Sequence, residues 1–282
     1  MRMLWQDLRY GYRMLRRNPG FTGLAVVSLA MAIGATTAIF SVVHGVLFRP
    51  LPYRDAARLA MLWTDDPKHN IREEGVSYPN FLDWRAQSRS FEDMAICSRR
   101  FSFTLFGTDE SERIEGALVS ANLFRLLGVA PALGRDFSAD EFVRGEPVLL
   151  ISHGLWRRRF GASQDAIGRS VILDGTPYRV AGVMPADFRF PDRETDVWEP
   201  LTAFPRWRRI EPNRYNDFGR VVGRLQPSVT FAQAQTEMDA IGRRLAAQYR
   251  TTDSDFAGFG VNVIPLLVQV TGRSTRLALA VL

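Results

Sequence analysis

The longest uninterrupted apolar pattern runs from Phe21 to Phe48, 28 residues without an Asp, Glu, Lys or Arg. As a helix rising 1.5 Å per residue it reaches roughly 42 Å against a hydrocarbon core of about 30 Å, so it predicts a transmembrane helix with length to spare for tilt or a stalk. Gly23, Gly34 and Gly45 are tolerable in such a helix, because lipid offers the backbone no alternative hydrogen-bond partner. Ala30, Gly34 and Ala38 recur at i, i+4 and i+8 and form a candidate helix-packing face, although small residues are common in membrane helices generally. A cleaved secretory signal competes for this stretch, with Ala30-Met31-Ala32 as a small-x-small site. The apolar run continues to Phe48, which favours the membrane helix.

Before it, residues 1–20 place Leu4, Trp5, Leu8, Tyr12 and Leu15 at near-helical spacing among five arginines, an amphipathic basic helix suited to a headgroup surface and broken at Asn18-Pro19-Gly20. Five arginines on this side against Arg49, Arg54 and Arg58 on the other put the N-terminus in the cytoplasm and residues 49–272 outside it. Beyond the stiff exit Arg49-Pro50-Leu51-Pro52 the pattern changes to alternating strands and short helices. Leu59–Thr64 reads as a strand, Ser77 as the N-cap of a helix with Pro79 in its first turn, and Phe91–Phe106 as extended.

The same order recurs near the C-terminus. Phe218–Leu225 alternates like a strand, and Thr230-Phe231-Ala232-Gln233 has capping-box form. Phe231, Ala234, Met238, Ile241 and Leu245 then mark one helical face, and Phe259–Leu266 is a second strand. Two strand–helix–strand units at the ends of one domain predict an α+β fold, a split ferredoxin-like sandwich with material inserted between its halves; unrelated αβ pieces are the alternative. The insertion, about 110–215, is turn-rich and β in character, with strands at Arg113–Val119 and Val148–Ser152 and a short helix at Ala121–Leu127. A hairpin turns at Asp174-Gly175. Arg276–Leu282 becomes apolar again, either the start of a second membrane helix over about 273–282 or an ordinary helix end.

Charge removes one class of function. The chain carries a net +6, but residues 1–20 hold +4 of it; the rest has 31 basic and 29 acidic residues, a poor match for nucleic acid. Lys68, the only lysine, sits in Asp66-Pro67-Lys68-His69, so there is no Walker-type phosphate loop and no ATP binding by that route. Cys97 is alone and fits a buried small residue.

Candidate chemistry is thin. His44, His69 and His153 share no metal-ligand spacing, and no G-x-S-x-G elbow occurs. Ser152 beside His153 is not a triad, since adjacent strand residues point apart. The acid pairs Asp65-Asp66, Glu73-Glu74 and Asp140-Glu141 read as solvated loop positions. Trp156-Arg157-Arg158-Arg159-Phe160 and Arg206-Trp207-Arg208-Arg209 fit either an anionic ligand or amphipathic helix ends with the rings inward, and the latter is preferred. No catalytic, cofactor or metal residue is assigned.

A further set of motifs carries a likeness. Asp7-Leu8-Arg9-Tyr10, Arg16-Arg17-Asn18-Pro19-Gly20-Phe21-Thr22, Thr37-Ala38-Ile39-Phe40-Ser41-Val42-Val43, Arg49-Pro50-Leu51-Pro52-Tyr53, Ser77-Tyr78-Pro79-Asn80-Phe81-Leu82-Asp83-Trp84-Arg85, Leu133-Gly134-Arg135-Asp136-Phe137 and Gly182-Val183-Met184-Pro185-Ala186-Asp187-Phe188 span most of the chain. Together they resemble bacterial ABC transporter permeases of the duplicated orphan type, which are FtsX-like and carry a MacB-like periplasmic core domain. The resemblance implies a first membrane helix (21–48) and a two-lobed extracytoplasmic domain (49–272), with a βαβ lobe over about 49–109 and 216–270 and an inserted lobe over about 110–215. It also implies an inner-membrane location, a separate ABC ATPase as partner, and a homodimer or paired permease half in the lipid bilayer. Periplasmic partner proteins are a further implied class. The expected role is coupling ATPase-driven helix motion to export or extraction of a substrate at the outer face of the membrane, without enzymatic activity in this chain; the alternative is a membrane-tethered binding or assembly module.

Overall fold

The computed structural model describes residues 16–47, 51–66, 71–106, 111–249, 260–270 and 272. The expected basic helix up to residue 15 and the apolar run after residue 273 lie outside the described residues, as does His69. The chain divides into two units, one holding α1 (Pro19–Leu47) and the other spanning Leu51–Arg273.

In α1 the break predicted at Asn18-Pro19-Gly20 narrows to Asn18. Pro19 opens the helix, where its missing N–H removes no helical bond, and Thr22 donates from both backbone and hydroxyl to the Asn18 carbonyl at 3.0 Å. Phe21, Leu24, Leu29, Met31 and Ile33 are more than half exposed. Side chains are described without a gap only to Gly34, and among the described residues no helix is long and apolar enough to cross a membrane.

The second unit is mixed α/β. It opens with β1 (Leu59–Asp66), β2 (Ile71–Glu74), α2 (Tyr78–Gln87), β3 (Phe91–Ser98) and β4 (Phe101–Phe106). There follow β5 (Glu112–Val119), α3 (Leu123–Leu127), β6 (Leu133–Gly134), α4 (Ala139–Arg144), β7 (Val148–Ile151) and α5 (His153–Phe160). The chain then forms β8 (Ser170–Leu173), β9 (Thr176–Val183), β10 (Val197–Pro200), α6 (Trp207–Ile210), β11 (Gly219–Leu225), α7 (Phe231–Tyr249) and β12 (Gly260–Pro265).

Local chemistry sets several of these boundaries. The Ser77 hydroxyl accepts from Asn80 N and caps α2. Thr230 and Gln233 exchange bonds at the start of α7. Ala234, Met238, Ile241 and Leu245 are all buried, as their spacing requires. The β8–β9 turn is Asp174-Gly175 with φ of 46° and 84°, both in the left-handed region that a two-residue hairpin of this hand demands.

The strands contributed by the two ends of this unit lie in the order β3-β11-β1-β12, each antiparallel to its neighbour. Because β1-α2-β3 and β11-α7-β12 interleave in this way, α2 and α7 cover one face. Phe81, Trp84, Met238 and Ile241 pack there on Ala60, Leu62, Met94 and Val221. The opposite face, with Leu59, Met61 and Trp63, packs on α3 and on Phe137, Phe188 and Phe190.

Between the two halves, the order β10-β7-β9-β8-β4-β5 ends in a further pairing of β10 with β5, so six strands close into a ring. The expected single extended run Phe91–Phe106 therefore divides. β3 stays with the antiparallel sheet, whereas β4 pairs with β5 and β8 in the ring, and ring and sheet join where Cys97 pairs with Val119.

Candidate functional site

The chain enters and leaves the antiparallel sheet at one point. Ala60, near the start of β1, is the cross-strand partner of Pro265, the last residue of β12. The entry segment ahead of β1 is held from several sides. The Tyr53 ring meets Phe188 and Phe190 edge-on at 6.4 and 6.3 Å, and burial, reinforced by the charge of Asp187, pushes its hydroxyl well above the usual tyrosine range. Arg54 N donates to the Leu127 carbonyl at 3.1 Å. The close approach is possible because Gly128, with φ 71°, has no side chain; a Cβ there would lie 2.4 Å from the Arg54 Cβ. Arg58 Nε donates to Leu225 O at 2.9 Å, and its guanidinium pairs with Glu92.

Under the entry turn lies Arg224, only 2% exposed. Its Nη2 and Nε donate to Leu126 O at 2.6 and 3.2 Å, and Nη1 lies 3.8 Å from the Asp55 carboxylate. Burial, with Arg54 nearby, lowers its pKa against the pull of Asp55, yet a guanidinium stays charged at any ordinary pH. The segment is thus bonded to β11, through Leu225 and through the Arg224 guanidinium that the Asp55 carbonyl accepts from, and to α3 through Leu127, while Arg224 itself ties β11 to Leu126 of α3.

Catalytic geometry does not emerge at the positions considered in the sequence. Ser152 follows β7 rather than ending it, and with His153 it opens α5 instead of lying on a strand: the Ser152 hydroxyl accepts from Leu155 N at 3.0 Å and donates to Asp196 at 2.9 Å, while His153 meets Trp156 edge-on at 5.3 Å. Trp156 Nε1 donates to Ser163 O, Arg158 pairs with Glu112 and Asp196, and Arg159 pairs with Glu112. Trp207 is buried against Tyr78 and Phe218, whereas Trp156, in the middle of α5, is half-buried with its ring packed on the core. Cys97 is buried and its thiol pushed up to about 12 by burial. No group of three or more potential ligands among the described residues could hold a metal ion. The cleft lined by Asn80, Trp84, Gly242, Leu245 and Val261 has a volume of about 10 Å³, roughly the room of a single water and far below the roughly 300–1,000 Å³ of small-molecule sites.

The acid pairs correct one expectation. Asp65-Asp66 lie on β1, Glu73-Glu74 on β2, and Asp140-Glu141 in the first turn of α4 rather than in loops. Glu141 is buried because it closes a capping box with Ser138 and accepts from Arg135 and Arg179. The Arg135 hydrogen bond, working against burial, brings its carboxyl down to about 2. The motif Ser138-x-x-Glu141 carried that signal in the sequence. Of the proposed packing face, Ala30 and Gly34 are exposed on α1, nothing approaches within 4 Å of a Cβ built at Gly34, and Ala38 lies further along the same helix.

Comparison with known proteins gives the family. The MacB-like periplasmic core domain model matches residues 22–241. Proteins described as macrolide export ATP-binding/permease protein MacB are 28% identical, from Burkholderia thailandensis over 167 residues (58% of this chain) and from Burkholderia cenocepacia over 172 residues (59%); the matches cover 24% of each relative. This chain thus spans about a quarter of the length of those relatives. Among solved structures, the periplasmic region of MacB from Actinobacillus actinomycetemcomitans matches with a TM-score of 0.54 at 13% identity, over 73% of this chain and 88% of that one. The extracellular domain of the noncanonic ABC-type transporter YknZ from Gram-positive bacteria gives 0.51 at 14% identity, over 73% and 99%. These two likenesses concern the fold. With the family model covering most of its length, the chain belongs to the MacB-like periplasmic core domain family.

Proposed function

We propose that the chain is part of an ABC transporter permease subunit, in which α1 crosses the inner membrane from a cytoplasmic N-terminus and residues 49–272 form a two-lobed domain outside the cytoplasm. A separate ATPase supplies the work, and the entry segment passes the resulting motion of the membrane helices to that domain, so that a substrate is exported or extracted at the outer face. The observation that carries this reading is the pairing of Ala60 with Pro265, together with the bonds from residues 54–58 and Arg224 to both the sheet and α3. A domain held at one point and braced there on two sides suits the transfer of displacement. Ala30, Gly34 and Ala38 are then the face on which another membrane helix packs.

Two measurements test this. A reporter active only outside the cytoplasm, fused within the β8–β9 turn after Gly175, is expected to function, and activity only when it is fused before Pro19 would reverse the topology. In membranes containing the co-purifying ATPase, hydrogen exchange of residues 53–58 and 123–128 is expected to change together between ATP and ADP. Continued ATP turnover with both segments unchanged would remove the coupling role.

A further inference from the structure

The ring of six strands buries a carboxyl group that no cation among the described residues pairs with. Along β10, Val197 faces the core that the ring encloses and Trp198 faces outward to α3, so Glu199, two residues from Val197, shares the inner face. It is 1% exposed, and among the described residues neither Oε1 nor Oε2 has a hydrogen-bond partner. The groups around it are few. From β9 the Tyr178 hydroxyl faces it and interacts with it, although outside hydrogen-bonding geometry. From the β8–β9 turn Asp174 adds a like charge. The inner faces of β4, β5, β7 and β8 contribute Phe103, Leu118, Ile151 and Leu173, all apolar and buried. No cation is among the charged groups that act on it.

A carboxylate in such a place is opposed by desolvation, whereas the neutral acid is tolerated. Burial, helped by Asp174 and opposed by Tyr178, pushes the Glu199 carboxyl up to about 7. The strand that carries it is also weakly held on one side: β10 pairs with β7 at only Val197–Ile151 and Trp198–Leu150. We propose that the ring is a proton-responsive unit, closed while Glu199 is neutral and loosened at the β10–β7 seam when Glu199 loses its proton to solvent. In this state the charge reaches water only by parting that seam or admitting water through it. The device sits in the part of the chain that faces outward under the proposed topology, but it stands on the ring's own geometry and is independent of any transport role.

The test is hydrogen exchange on the full chain in detergent, corrected for the intrinsic pH dependence of exchange. Protection of the amides in 148–151 and 197–200 is expected to fall by on the order of tenfold or more between pH 5.5 and 8.5. In Glu199→Gln, which mimics the neutral acid, that fall is expected to vanish. A flat wild-type profile, or an undiminished fall in the variant, overturns the proposal. If the variant does not fold, infrared titration supplies the answer on the native residue. It uses the Asp136→Asn, Asp217→Asn background, since burial also raises those two carboxyls. A protonated-acid carbonyl band that persists at pH 6.5 and disappears by pH 8.5 supports the proposal, and its absence at pH 6.5 defeats it.

Discussion

Replacing Glu237 by Ala is expected to detach the two strand–helix–strand halves from each other at one corner. The Glu237 carboxylate on α7 accepts from Ser88 Oγ at 3.0 Å, Arg89 N at 2.9 Å and Ser90 N at 2.8 Å, a turn nearly 150 residues earlier in the chain. Hydrogen bonds to a charged group contribute about 1.5–3 kcal/mol each. Water can replace the acceptor for the exposed Arg89 N–H, and the Ser88 hydroxyl can rotate, but Ser90 is buried and its N–H would be left with no acceptor. Set against the relief of returning a half-buried carboxylate's desolvation, the net loss is of the order of 2 kcal/mol, or a fall in Tm of about 4–8 °C for a domain of this size. The pH dependence carries its own sign. Burial pushes this carboxyl up, yet the bonds from Ser90, Arg89 and Ser88 outweigh it and leave the folded pKa below the ordinary glutamate value of the unfolded chain. The stabilisation is therefore complete above that unfolded value and is lost as pH falls through the lower folded one. Thermal unfolding of wild type and Glu237→Ala at pH 7 and pH 3.5 should show a gap that narrows in acid. A gap below about 0.5 kcal/mol at pH 7, or one unchanged at pH 3.5, would refute the reasoning.

Other expectations follow from single sites. Ser138→Ala removes the capping box of α4 and should reduce stability by about 1 kcal/mol, read by denaturant unfolding. Gly116→Ala places a Cβ 2.5 Å from the Phe103 ring and 2.7 Å from Val197, overpacking the ring by about 1–3 kcal/mol; unchanged stability would show that the ring is looser than described. Arg224→Ala should raise exchange at the amides of 54–58 well above any change in α7, because it removes the guanidinium that donates to the Asp55 carbonyl on one side and to Leu126 O on the other. Ser152→Ala should lower stability by about 1 kcal/mol, the signature of a helix cap.

Much of this architecture is written in short-range pattern. The face Ala234, Met238, Ile241 and Leu245, the caps at Ser77 and Thr230, and the turn at Asp174-Gly175 are set by residues within a few positions of one another, and the structure has them where the pattern puts them. The closure of the ring was not legible. It depends on β10 meeting β5 in parallel across some 80 residues, and Val197–Pro200 is too short and too mixed to announce a strand. The buried ionisable groups escaped for a related reason. Glu199 and Arg224 are residue types that composition assigns to the surface, and only the strands folded over them, from distant parts of the chain, make them interior. The likeness to the permease family reached what periodicity did not, since it compares whole stretches rather than local spacing.

The pairing of Ala60 with Pro265 has a consequence for how the domain relates to the rest of its polypeptide. Cross-strand partners in an antiparallel ladder stand about 4.5–5.5 Å apart at their Cα atoms. To the segments on either side, everything between those two residues therefore has the footprint of a tight turn. Changes of length in the loops between them leave the spacing of Ala60 and Pro265 untouched, whereas removing the whole unit would strip Tyr53, Arg54 and Arg58 of Phe188, Phe190, Leu127 and Leu225.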